Sequence, residues 1–125
     1  MTRMASPRMR RVNGAIREVV SAGIENLNDP RIGFVTVTAV DTSPDLEHAR
    51  VFVTVLGDED ARSDALTGLE SARGNLQARI GSELRMKRTP MLRFTYDEST
   101  DRGMRVSSLL DEVGAGEDDD VKEGT

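Results

Sequence analysis

Three of the four residues in Arg85-Met86-Lys87-Arg88 are cations. Charge this dense suits a phosphate backbone, which is bound through charge and positions a ligand without reading its bases. The ordinary alternative for a charge run is a solvated loop. Its surroundings argue against that alternative: across residues 73–93, Arg73, Arg79, Arg85, Lys87, Arg88 and Arg93 are accompanied by Glu83 as the single acid. A second cluster opens the chain, where residues 1–17 hold five arginines and no carboxylate. Arg8, Arg10 and Arg11 lead it, and the part from Arg3 onward reads as a basic arm. A third candidate is Ala72-Arg73-Gly74, inside a run of helical spacing. Glycine can take backbone angles that a Cβ resists, and it lets a phosphate come close. A helix restarting near Asn75 would aim its free N–H groups at an anion, with Arg73 and Arg79 adding charge. The plainer reading is that Gly74 only lets two helices meet.

The net charge of −5 runs against a polyanion ligand. The charge is unevenly placed, however: residues 97–125 carry 10 acids and 3 bases, whereas residues 1–96 carry 12 acids and 14 bases. Phosphate recognition follows the local field, not the isoelectric point.

Other chemistries find little support. Without cysteine there is no disulfide and no thiolate metal site. A single His would leave a zinc ion to rely on carboxylates, which is uncommon. His48 lies near Asp45 and Glu47, but no nucleophile accompanies the pair. Asp58-Glu59-Asp60 reads as a solvated loop, and Gly68 and Gly74 do not make a phosphate loop. These readings predict a protein that is not an enzyme and has no cofactor, metal or small-molecule substrate. No apolar run approaches the ~20 residues that span a bilayer, and no apolar segment follows the N-terminal arginines as in a secretory signal. A cytoplasmic monomer is expected.

The elements that must position these groups follow from periodicity. Ser6-Pro7 starts a helix. Val12, Ile16, Val19, Val20, Ile24 and Leu27 form its apolar stripe, and Asn28-Asp29-Pro30 stops it. Residues 34–40 read as a strand with Val35, Val37 and Ala39 on one face. Residues 48–56 read as a second, with Ala49, Val51, Val53 and Val55 on one face and Arg50, Phe52 and Thr54 on the other. The short Thr42-Ser43-Pro44-Asp45 connection makes this pair antiparallel. Leu66, Leu69, Ala72, Leu76, Ile80 and Leu84 follow helical spacing that Gly74 interrupts, so a kinked helix or two short helices are expected. Leu92, Phe94 and Tyr96 mark a third strand. A short helix is expected from about Thr100, with Val106, Leu109, Leu110 and Val113 on one side. From Gly114 there is almost nothing to bury, so residues 114–125 read as a disordered acidic tail. The order α-β-β-α-kink-α-β predicts an α+β sandwich, a three-stranded sheet with helices on one face. Of the aromatic residues Phe34, Phe52, Phe94 and Tyr96, the last two should pack in the core, which argues against base stacking.

Asp29-Pro30-Arg31-Ile32, then Val35-Thr36-Val37-Thr38 with Val40, then Ser43 with Asp45-Leu46 and Ala49, resemble the ribosome-binding factor A family. The ordered set continues with Val51 through Leu56-Gly57, Ala72-Arg73-Gly74, and Pro90, Leu92, Phe94 and Asp97. The resemblance spans about residues 6–112. It implies a KH-like fold of type II in which Ala72-Arg73-Gly74 is the interhelical kink, replacing the Gly-x-x-Gly clamp of ordinary KH domains. It also implies a bacterial factor that binds the small (30S) ribosomal subunit and assists late maturation of 16S ribosomal RNA. On this reading residues 1–113 are the RNA-binding domain, and Arg8, Arg10, Arg11, Arg73, Gly74, Asn75, Arg79, Arg85, Lys87 and Arg88 contact RNA. The competing hypothesis is an adaptor of the same fold, using its sheet surface and acidic tail on basic proteins such as ribosomal proteins.

Overall fold

The computed structural model describes residues 6–99. The helix expected from about Thr100 and the acidic tail lie outside the described residues, as does Arg3.

Helix α1 spans Pro7–Glu25; the Ser6 hydroxyl accepts the Met9 N–H and Pro7 occupies the first turn. Strands β1 (Val35–Thr42) and β2 (His48–Val55) follow as an antiparallel pair. Two helices come next, α2 (Glu59–Ser71) and α3 (Arg73–Leu84), and then β3 (Met91–Tyr96), which joins β2 in parallel. The sheet order is β1-β2-β3. A parallel return from β2 to β3 needs a crossover, and α2 with α3 supplies it.

The three helices cover one face of the sheet, as the α+β reading requires. Ile16, Val20, Leu69, Leu76 and Ile80 meet Ala49, Val51, Val53 and Leu92, all fully buried. α2 lies against β2 and β3, whereas α3 packs chiefly on α1. Each half of the helical run thus faces a different partner, and the chain bends between them.

Two local expectations are corrected. β1 does not alternate throughout: a bulge lies between Val37 and Ala39, so Val37 pairs with Val53 and Ala39 with Phe52, leaving Thr38 extra. A bulge reverses the inside–outside order beyond it. Val40 and Thr42 therefore turn inward, and Ala39, expected inside, is exposed. The bend between α2 and α3 falls within the expected Ala72-Arg73-Gly74 segment, at Ala72 (φ −91°, ψ 2°), and Gly74 belongs to the first turn of α3. Gly74 does not have a positive φ. The expectation that this position needs glycine for its backbone angles therefore fails. Ala72 keeps its N–H on the Gly68 and Leu69 carbonyls, so a rotated ψ at one residue is enough to bend the helix.

Candidate nucleic-acid interface

α3 ends at Arg85, whose backbone is left-handed (φ 52°, ψ 44°). Such a residue costs a non-glycine about 1–2 kcal/mol, yet it turns the chain sharply out of the helix. The next residues alternate in fate. Arg85, Lys87 and Arg88 are exposed, while Met86 is half-buried against the hydrophobic core and Pro90 is fully buried. One apolar anchor thus holds three cations outward on a short, pinned turn. Arg88 stands 3.4 Å from Glu47 across the molecule, an exposed pair worth little in water. Arg85 and Lys87 pair with no carboxylate among the described residues.

The kink residues divide. Arg73 is paired with Glu70, and its guanidinium reaches Met91 Sδ at 3.5 Å, so it leans toward β3. Arg79 lies over α1 beside Gly23 and pairs with Glu83 at 3.6 Å. Asn75 and Gly74 are exposed, and a Cβ built on Gly74 would meet nothing within 4 Å. The outer face at the start of α3 is open to a ligand, but its two arginines already have partners.

Arg8, Arg10 and Arg11 are exposed on the first turns of α1. No acid stands in that first turn. A helix N-terminus disfavours cations by about 0.3–1 kcal/mol each, so these side chains do not serve helix stability. α2 shows the opposite arrangement: Asp58 caps it and Glu59 and Asp60 fill its first turn.

Several segments that carried the resemblance prove to be scaffold. Asp29 accepts the Arg31 backbone N–H at 3.0 Å and grips its guanidinium at 2.6–3.2 Å. These hydrogen bonds hold the Asp29 carboxyl down at about 2. The turn presses Ile32 onto α2 at Gly68, where a Cβ would lie 2.7 Å from Ile32 Cγ1. In the β1–β2 turn, Asp45 accepts from the Ser43 hydroxyl at 2.6 Å and the Glu47 N–H at 3.0 Å, bonds that lower its pKa. Asp97 accepts the Ser99 hydroxyl and N–H and the Thr38 hydroxyl. Burial pushes the Asp97 pKa up, but those bonds together outweigh it and hold the group low. Gln77 reaches from α3 to accept the Leu92 N–H on the outer edge of β3.

The aromatic expectation holds in part. Phe94 is buried and Tyr96 is half-buried beneath Arg62, whose guanidinium carbon is 3.7 Å from the ring centre. Phe34, however, is 77 % exposed, and Phe52 lies half-exposed on the uncovered sheet face. That face also carries Arg50 and Arg93, paired directly across β2 and β3. Their outward positions follow from strand alternation, but their adjacency depends on a parallel register set by the distant crossover.

Among the described residues no three His, Cys, Asp or Glu side chains gather as a metal site. No described helix is long and apolar enough to cross a membrane.

Comparison with known proteins agrees with this architecture. The family model for ribosome-binding factor A matches residues 8–110. A ribosome-binding factor A from Pelobacter propionicus is 44 % identical over 119 residues, covering 94 % of this chain and 98 % of that protein. The crystal structure of ribosome-binding factor A from Thermus thermophilus superposes with a TM-score of 0.65 at 30 % identity, over 70 % of this chain and 93 % of that one. A homology model of the Thermus thermophilus factor, fitted into a cryo-EM map of a 30S–RbfA complex, matches with a TM-score of 0.60 at 30 % identity, over 70 % and 92 %. The fold is the KH-like α+β fold of those structures. With its matched core, its bent α2–α3 pair and its parallel third strand, the chain belongs to the ribosome-binding factor A family.

Proposed function

We propose that this protein binds the free 30S subunit through its 16S ribosomal RNA and assists late maturation and processing of that RNA. It acts by binding alone, as a cytoplasmic monomer without cofactor or small-molecule substrate. The observation that carries this reading is the Arg85–Arg88 turn: three exposed cations held around the packed Met86 at the junction of α3 and β3. A turn anchored by Met86 and Pro90 spares the cost of ordering its backbone when a phosphate backbone arrives, and counterion release offsets the side-chain freedom lost. Arg8, Arg10 and Arg11 extend the basic surface, with Gly74 and Asn75 as an open approach and Arg73 and Arg79 able to exchange Glu70 and Glu83 for phosphate. The 30S complex of the Thermus relative supports the choice of partner. Residues 1–113 form the functional unit in this proposal, and residues 114–125 are dispensable for the fold. Gradient sedimentation of a cell extract tests it. The protein should travel with free small subunits; sedimentation only with protein complexes lacking RNA would favour the adaptor reading instead.

A further inference from the structure

Among the described residues one face of the sheet carries no helix, and its side chains fall into ordered rows. One row is Asp41, Arg50 and Arg93. The next outward row is Ala39, Phe52 and Thr95. At the far end of the hairpin Phe34 and Leu56 lie side by side, joined by the Leu56 N–H donating to the Phe34 carbonyl at 3.1 Å. They are 77 % and 74 % exposed. Thr36 and Thr54 pair across the strands between the two ends.

Three features of this arrangement do nothing for the fold. Arg50 and Arg93 are like charges in directly opposed positions, which destabilises a sheet. Asp41, opposite Arg50 on β1, balances one charge of the two. Phe34 and Leu56 expose large apolar side chains at adjoining positions. The bulge at Thr38 sets small Ala39 beside Phe52, with Thr95 on its other flank, so the ring is not covered by bulky neighbours. Arg50 stands over the same ring, 6.0 Å from its centre, and would swing toward a phosphate to let a base stack there. An anion would relieve the arginine pair, and flat apolar groups would cover the rings. A single nucleic-acid strand offers both along one line, alternating phosphate with unstacked base. An acidic peptide would match the arginines but offers planar groups only where it carries aromatic side chains, whereas every nucleotide carries one beside its phosphate. From Arg50 to Leu56 the strand runs ~20 Å at ~3.3 Å per residue. That is comparable to the two or three bases stacked by the sheet of other RNA-binding folds.

We infer that this uncovered sheet face is a second RNA surface, which stacks unpaired bases of single-stranded RNA on Phe34 and Phe52 and holds their phosphates at Arg50 and Arg93. The inference rests on the reading that the protein contacts RNA, but it places the bases away from the Arg85–Arg88 turn, which grips backbone alone.

The test is titration of the full chain with a short fluorescein-labelled single-stranded RNA and with a duplex of the same sequence, at several salt concentrations. Phe34→Ala is the primary variant, because its ring is exposed and its loss leaves the core intact. Phe52→Leu keeps apolar bulk and removes the π-face. Each should weaken single-strand binding at least ~5-fold, the low end for one stacked base, and leave duplex binding and the salt slope unchanged. Arg93→Gln should lower the slope by about 0.7. Wild-type affinity of both ring variants for the single strand, or failure of the wild type to bind it, would overturn the inference. So would an equal loss on duplex. Normal RNA binding by the ring variants with lost subunit association would assign the face to a protein partner, also against the inference. The triple variant Arg85→Ala, Lys87→Ala, Arg88→Ala, run in parallel, separates the two surfaces. If it alone loses affinity, the sheet inference fails and the turn reading stands.

Discussion

Leu76 of α3 rests against Gly23 of α1 so closely that a Cβ built on Gly23 would stand 2.6 Å from Leu76 Cδ2. Leu76 is fully buried and has little room to yield. The aliphatic part of Arg79 crosses the same spot, 3.0 Å from that position. The contact fixes how α3, and hence the turn at its end, sits on α1.

Gly23→Ala and Gly74→Ala should therefore move stability in opposite directions. At Gly23 a methyl gains up to ~1 kcal/mol of helix propensity but overpacks the interface, which typically costs about 1–3 kcal/mol. At Gly74 the backbone lacks a positive φ and the space is open, so a gain of up to ~0.5 kcal/mol is expected in this first turn. Thermal midpoints should fall for Gly23→Ala and hold or rise slightly for Gly74→Ala. A destabilised Gly74→Ala would restore the idea that this position needs glycine to fold.

Asp29 gives the protein a defined acid sensitivity. Its carboxyl is lowered from 3.8 to about 2 by the hydrogen bonds from Arg31. A depressed folded pKa stabilises fully above the unfolded value and is lost as the group protonates in the folded state. Its contribution should thus fade between pH about 4 and about 2. Asp29→Asn should be less stable than wild type at neutral pH, and the difference should shrink through that window. Thermal melts across the pH range would show it; a constant difference would mean that Asp29 acts through shape alone.

Thr38, the extra residue of the bulge, donates to Asp97 at 2.6 Å over β2. Thr38→Val should raise the Asp97 pKa, since one of the bonds holding it down disappears. The stability loss should be about 1 kcal/mol, below the usual charge-assisted range because Asp97 keeps its hydrogen bonds from Ser99. Carboxyl NMR titration of Asp97 in both proteins measures the shift, and an unmoved value would dissociate the bulge from Asp97.

Arg85→Gly offers a variant in which charge and fold separate. Glycine removes the penalty of a left-handed residue at this helix end, so stability should rise by about 1 kcal/mol. RNA affinity should nonetheless fall. Denaturant midpoints beside binding titrations give both readings, and a joint rise or joint fall would deny the separation.

The order of elements was legible because the apolar residues repeat at three and four positions in α1, α2 and α3 and at two in β2. The cationic turn was legible because Arg85, Lys87 and Arg88 follow a helical pattern and precede Pro90. What escaped depends on distant contacts. The Thr36-Val37-Thr38-Ala39 run alternates smoothly in sequence, and only pairing with β2 exposes its bulge. Within the legible Ala72-Arg73-Gly74 kink, Gly74 is the visible helix breaker, and only the contacts of α2 with the sheet and α3 with α1 put the bend at Ala72. Arg50 and Arg93 are separated by the whole crossover and become neighbours only through parallel pairing. The partners that occupy Arg73 and Arg79 were likewise invisible, because charge counts do not show which cations are already paired.

On the proposed function, exposed cations on the α3–β3 turn grip the phosphate backbone of the small subunit's RNA. Titration of small subunits with the wild type and with Arg85→Ala, Lys87→Ala, Arg88→Ala, repeated at several salt concentrations, tests it most directly. All three side chains are exposed, so the variant should keep its thermal midpoint. Its affinity should fall at low salt, and the slope of log affinity against log salt should drop by roughly 2–3, at ~0.7–0.9 per phosphate contact. Arg88 should account for the smallest share, because it stands within reach of Glu47. A variant with wild-type affinity and an unchanged slope would show that these charges are only a solvated surface, and would contradict the account.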